Sequence, residues 1–199
     1  CNDVIMKVAF DHIYVHPLPQ GHRFPMEKYE LIPLQLLREG VITPAQLFSP
    51  APLEEDIVLL THDAVYWNKL KHQTLSEREQ RRIGFVQSPT LTEREVTICQ
   101  GTIDCALHAL DHGVALNVAG GTHHAYADRG EGFCLLNDFA VAANYLLAKR
   151  RVNKIVIIDL DVHQGNGTAA LFAGNEQVFT FSMHGANNYP FHKERSDWV

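Results

Sequence analysis

No Cys-x-x-Cys pair occurs in the 199 residues, and the four cysteines (Cys1, Cys99, Cys105, Cys134) follow no zinc-ribbon or disulfide-framework spacing. A thiolate zinc site is excluded on that ground, and reduced, unpaired thiols are expected. No apolar run approaches the ~20 residues of a membrane-spanning helix, and no secretory leader is recognisable. Cationic excess is missing too: the net charge is −6 and the pI about 6.0. That argues against direct nucleic-acid binding through a broad basic surface. It leaves a basic, lysine-bearing substrate open. There is no internal repeat, no phosphate-cradling glycine loop, and no nucleophile elbow before Ser182. The expected compartment is the cytoplasm, or the nucleus if the source is eukaryotic, with no membrane partner. The chain begins at Cys1 rather than methionine and stops at Ser-Asp-Trp-Val, so both ends read as cut.

What the chain does have is apolar mass and histidine. Hydrophobic residues make up 46% and histidines number 12, several beside acids or glycines. One domain with a sizeable core fits the length. Residues 12–25 hold prolines, histidines and a glycine and read as a loop. Helices are expected at 26–38, 61–72 (Thr61 as cap), 76–82 and 91–112. Pro33 should kink or split the first of them, and Gly40 should end it. Thr90 and Glu93 have capping-box spacing ahead of the longest. Val96, Cys99, Ile103, Ala106, Leu107 and Leu110 recur on one of its faces, and Gly113 ends it. Residues 43–56 are proline-rich and read as irregular.

From there strands and helices alternate: a strand at 114–119, a helix from Asn137 to about 149, a strand at 154–159, a helix at 167–173 and a strand at 177–183. That alternation predicts an α/β fold of three layers, helices on both faces of a mostly parallel sheet. Ligands of such sheets sit at the carboxyl ends of the strands. All three strands end in polar clusters: Gly-Gly-Thr-His-His, Asp-Leu-Asp-Val-His and Ser-Met-His-Gly.

Asp159, Asp161 and His163 alternate with apolar residues, so extended backbone turns them to one side. Asp161 and His163 can then converge on one metal ion, with oxygen and nitrogen donors that suit zinc or iron. Asp159 suits an acceptor behind the ligands or a partner for a hard cation. The plainer reading is a capping acid and a surface histidine. His123 and His124 are adjacent, so both reach one ligand only from a loop, which Gly120 and Gly121 permit. Such a pair can serve as general base and acid. Phe133, in the glycine loop at 130–132, is either a channel wall or core packing. Cys134 reads more readily as a buried thiol than a reactive one.

Gly-Gly-Thr-His-His-Ala at 120–125, Gly-Phe-Cys-Leu-Leu-Asn-Asp at 132–138 and Ile-Asp-Leu-Asp-Val-His-Gln-Gly-Asn-Gly-Thr at 158–168, in this order and spacing, resemble the zinc-dependent histone deacetylase family, which shares the arginase-like α/β fold. The match is clear over roughly 113–192 and weaker from about residue 10. His-Pro-Leu-Pro-Gln-Gly-His at 16–22 and the Gln-Gly-Asn-Gly variant look most like class IV-type members and their bacterial relatives.

The resemblance implies that residues 1–199 are the N-terminal two-thirds of one deacetylase-like catalytic domain, incomplete at the C-terminus. It implies that Asp161 and His163 are two of three zinc ligands, and that His123 and His124 are the catalytic pair. Asp159 would stand behind His123, and Asn166 behind His124, where many members carry aspartate. A potassium ion would take Asp159, the carbonyls of Asp161, His163 and Met183, and the Ser182 hydroxyl. A second monovalent site would use carbonyls around Phe172, Asn175 and Val178. Gly132 and Phe133 would form one wall of an acyl-lysine channel and Tyr189 the other.

The implied reaction is hydrolysis of acetylated lysine side chains in proteins. The alternatives are an acetylated polyamine or other small acylated amine as substrate, and a non-catalytic binding module if 199 residues are the whole. Competition between an acetyl-lysine peptide and an acetylated polyamine separates the two substrates, and the intact mass of the natural protein tests the binding module. A species longer by on the order of 100 residues is expected, carrying an aspartate ligand in a glycine-containing loop and later a tyrosine near a glycine pair. A mass equal to 22.4 kDa favours the binding module.

Overall fold

A computed structural model describes residues 6–195; Cys1 lies outside them. Near the N-terminus, β1 (Lys7–Ala9) leads through a proline-rich loop to α1 (Lys28–Arg38). Helix α1 runs through Pro33 unbroken, contrary to the expected kink or split. One N–H donor is lost there, but Pro33 and Tyr29 share a face at i, i+4 spacing and both are buried. The 43–56 stretch is not wholly irregular: it supplies β2 (Leu47–Phe48) and the short α2 (Glu55–Val58).

Helix α3 (Ala64–Lys71) starts at Asp63, not Thr61. The Thr61 hydroxyl instead receives the Asn144 side-chain amide at 2.9 Å. Helix α4 (Glu77–Ile83) carries a full capping box between Ser76 and Glu79. The longest helix, α5 (Pro89–His112), is capped by Ser88, whose hydroxyl accepts from Leu91 N, with Pro89 at the first helical position. Proline there pre-sets the helical φ, and this displaces the expected Thr90 cap.

Two parallel sheets result. The first has order β2-β1-β3, with β3 at Ala115–Asn117; in the second, β4 (Ile155–Asp159) pairs with β5 (Val178–Ser182). Between them in sequence lie α6 (Asp138–Ala148) and, after β4, α7 (Asn166–Leu171). Among the described residues no strand ladder joins β3 to β4. A cleft of about 460 Å³ separates them, lined by Leu116, Ala142, Ala143, Leu146, Ile155 and Ile157 among others.

Strand β4 looks buried on both faces from its aliphatic run, yet only one side is covered. Ile157 packs with Ala140, Ala143, Phe172 and Val178. Val156 and Ile158 are 61% and 62% exposed, beside the exposed Phe179 and Phe181 of β5. The expected apolar stripe of α5 is buried at Val96, Cys99 and Ile103 but reaches solvent at Leu110.

Helix α5 is buried around its circumference from Arg94 to Cys99, and this includes Glu95. Arg94 donates through Nε to the Tyr14 carbonyl at 2.8 Å and through its guanidinium to the Glu95 carboxyl. Its guanidinium also lies 5.1 Å from the centre of the Tyr29 ring. Burial raises the Glu95 carboxyl above its usual range, and the Arg94 charge opposes the shift. Removing the cation strands the acid. Arg94→Ala is expected to cost roughly 3–5 kcal/mol, measured by urea denaturation, and Glu95→Gln in the same background to recover part of it.

Candidate active site

The loop from Val118 to Ala125 carries both histidines and is held from below by one carboxyl group. Asp138, fully buried at the start of α6, accepts from the backbone N–H of Thr122 at 2.8 Å and of Gly121 at 3.0 Å. It accepts as well from the hydroxyls of Thr122 and Thr102 at 2.7 and 2.6 Å. The Thr122 hydroxyl in turn accepts from Asp138 N. So clamped, the loop turns His123 and His124 to the same side, with ring centres 4.0 Å apart.

Each imidazole has an acceptor at Nδ1. Asp159, last residue of β4, places Oδ2 2.6 Å from His123 Nδ1, while its Oδ1 accepts from Asp161 N. A carboxylate only accepts, so the His123 proton sits on Nδ1. Burial pushes the Asp159 carboxyl up, but the His123 hydrogen bond and charge outweigh this and leave it below the usual range. Asn166, first residue of α7 and buried, places Oδ1 2.6 Å from His124 Nδ1. Gly167 lets α7 approach this closely: a side chain there would run into the Ala125 carbonyl. Burial and the neighbouring His123 lower the His124 imidazole to about 4, so at neutral pH it is uncharged.

Asp161 and His163 follow β4 on the exposed rim. The Asp161 carboxyl accepts from His163 N at 2.7 Å, and His163 Nδ1 lies 3.0 Å from the same oxygen. Both side chains are about half exposed, at 50% and 41%. They are brought together as one oxygen and one nitrogen donor, which fits two positions of a zinc site. Among the described residues no group of three His, Cys, Asp or Glu is arranged to hold a metal ion.

Ser182 pairs with Asp159 across the strands, and Met183 N donates to the Asp159 carbonyl at 3.0 Å. The Ser182 hydroxyl lies 2.9 Å from His184 Nδ1. Phe172, Asn175 and Val178 meet at the turn from α7 to β5. Asn175 N donates to the Phe172 carbonyl, and its side-chain oxygen accepts from Val178 N.

Gly132 and Phe133 both have positive φ, at 55° and 68°, which brings Gly132 against His124. The Phe133 ring packs with His22, Phe24 and Phe85. Tyr189 stands edge-on to His124, with ring centres 5.0 Å apart. Cys134 is buried, and burial pushes its thiol well up, which makes it a poor nucleophile.

Three residues of the site do not announce themselves in the sequence. Glu131 accepts from the Tyr189 hydroxyl at 2.5 Å and from Asn166 Nδ2 at 3.3 Å. Tyr126 accepts from Asn166 Nδ2 at 3.0 Å and donates to Glu194 at 2.8 Å. His62, which is 2% exposed, lies behind the loop: Nδ1 faces the Tyr126 carbonyl at 3.0 Å and Nε2 accepts from Asn137 N at 3.0 Å. The question that finds Glu131 from sequence is where the Asn166 amide sends its N–H groups once its oxygen faces a histidine.

Paired, backed histidines stand beside an acid–histidine pair at the carboxyl end of a parallel strand in an α/β protein. The chain belongs to the histone deacetylase domain family, whose model matches residues 22–198. An uncharacterised protein of Picosynechococcus sp. is 45% identical over 96% of this chain and 63% of its own length. The acetoin utilization protein AcuC of Staphylococcus aureus is 32% identical over 92% of this chain and 50% of its own. A solved histone deacetylase homologue in complex with SAHA superposes with a TM-score of 0.81 at 27% identity, over 94% of this chain and 54% of that one. The fold is the arginase/deacetylase fold, and the chain spans between half and two-thirds the length of these relatives. Among the described residues no helix is long and apolar enough to cross a membrane.

His62 makes folding sensitive to acid. Burial lowers its imidazole from 6.5 to about 4, so between those values the unfolded chain holds a proton that the folded one excludes. The contribution is intact above pH 6.5 and is lost as pH falls towards 4, by on the order of 3 kcal/mol. Urea unfolding at the two ends of that window should show a larger loss for the wild type than for His62→Gln.

Proposed function

We propose that this chain is the larger part of a single metal-dependent deacetylase domain that hydrolyses the amide of an acetylated lysine side chain. The observation that carries the reading is the pair of buried imidazoles, each backed at Nδ1, beside the Asp161–His163 donor pair. Asp161 and His163 would hold zinc, or iron in its place, with a third acid and a carbonyl-polarising tyrosine from beyond Val199. When bound, the ion supplies Lewis acidity to the acetyl carbonyl and to the attacking water.

The chain's own residues do the proton work. With its Nδ1 proton donated to Asn166, His124 has a bare Nε2 to take a proton from water as the new C–O bond forms. It then returns that proton to the lysine nitrogen as the C–N bond breaks, which leaves acetate and a free amine. His123, tied to Asp159, is suited to carry positive charge beside the developing oxyanion. Gly132, Phe133 and Tyr189 would line the path of the acyl-lysine stem. Potassium would sit by Asp159 and Ser182 with the carbonyls of Asp161, His163 and Met183. A second monovalent ion would sit at Phe172, Asn175 and Val178. Both ions would brace strand ends rather than react.

A small acylated amine is the competing substrate. The test is turnover by the protein at its natural length, loaded with zinc, on an acetyl-lysine peptide and on an acetylated polyamine in competition. Preference for the peptide is expected. His124→Ala should lower kcat/KM roughly 10²–10⁴-fold. Absence of both zinc binding and turnover at natural length overturns the deacetylase reading and leaves a binding module.

A further inference from the structure

An asparagine behind His124 poses a problem that an aspartate would not. Its amide has an oxygen on one side and an NH2 on the other, and only one orientation serves the imidazole. If the NH2 faced His124, Nδ1 would have to accept, the ring proton would move to Nε2, and the base would be lost. Something must hold the amide the right way round.

The structure assigns that task to Glu131: it is the positioning residue that fixes the Asn166 amide, and with it the His124 tautomer, while tying Tyr189 to the same carboxyl group. Glu131 Oε1 stands 3.3 Å from Asn166 Nδ2 and accepts the Tyr189 hydroxyl at 2.5 Å. A carboxylate offers only lone pairs, so it selects the NH2 end of Asn166 and leaves Oδ1 to His124. Tyr126 acts in the same sense. Its hydroxyl proton is spent on Glu194, so towards Asn166 Nδ2 it can only accept. Both neighbours of Nδ2 are acceptors, and neither arrangement tolerates an oxygen in its place.

It follows that Glu131 and Asn166 are a matched pair. Aspartate at 166 would set two carboxyl groups at contact distance, whereas asparagine turns the same contact into a hydrogen bond. The inference rests on the proposed role of His124 as base, and the experiment reads the two separately. The protein, at the length its intact mass establishes, is 15N-labelled and the His124 tautomer is read by long-range 1H–15N NMR above neutral pH; kcat/KM on acetyl-lysine peptide is measured in parallel.

Wild type and E131Q, whose amide oxygen can still accept, are expected to show the Nδ1–H form alone. E131A, left with Tyr126 as acceptor at Nδ2, should admit a minor Nε2–H population absent from wild type; E131A/Y126F, with neither acceptor, should show both tautomers and lose roughly 10-fold or more in kcat/KM, within the range a misplaced group costs. N166D should be damaging in the wild-type background and largely restored in the E131Q background, where the new amide can donate to the aspartate. If E131A leaves the tautomer unchanged, or N166D is equally damaging in both backgrounds, the assignment to Glu131 is wrong. Should wild type fail to turn over at all, the deacetylase reading falls, while the tautomer measurement still decides the role of Glu131. E131Q and E131Q/N166D decide it even if E131A does not fold.

Discussion

A carboxyl group removed from water must be satisfied by donors around it, and Asp138 draws its donors from the loop that bears the two histidines. Because Asp138 is also the first residue of α6, the loop is fastened to a helix rather than to another loop. Asn137, its neighbour, caps that helix and at the same time reaches the Ala125 carbonyl and the Thr168 hydroxyl, which ties in α7. The adjacent pair Asn137-Asp138 therefore sets the position of the imidazoles and of the helix that carries Asn166. Geometry at the site is inherited from these fixed points, which is what a rigid constellation requires.

The two histidines look alike in the sequence but sit in different electrostatic surroundings. His123 faces the Asp159 carboxylate at Nδ1. His124 faces a neutral amide and is the more deeply buried, which favours the uncharged ring. One site thus gives two identical residues different surroundings, a carboxylate behind one ring and an amide behind the other.

Much of this was legible beforehand. Alternating elements gave the parallel α/β arrangement, and the polar endings of β3, β4 and β5 marked the rim. His123, His124, Asp161 and His163 could be named because each stands in a local pattern. What local pattern cannot carry is a partner far along the chain. Glu131 meets Asn166 across 35 residues and His62 meets Asn137 across 75, and nothing near His62 or Glu131 hints at either contact. Pro33 and Thr90 misled for the opposite reason: local rules were sound, but burial of one ring and a proline one residue ahead of the other decided otherwise. The aliphatic run of β4 suggested cover on both faces, because hydrophobicity tells which residues would profit from burial and not whether a layer lies over them.

Strand β1 occupies the centre of its sheet, yet its two neighbours come from very different distances along the chain. Val8 meets Leu47 of β2 early, but its other side waits for Leu116. At ordinary rates of synthesis that interval lasts roughly 3–14 s. During it the chain holds a two-stranded parallel ribbon, a unit too small to stand alone in water. The sheet that supports the histidine loop can close only after α5 has emerged, so β1 waits for a partner that lies beyond the longest helix.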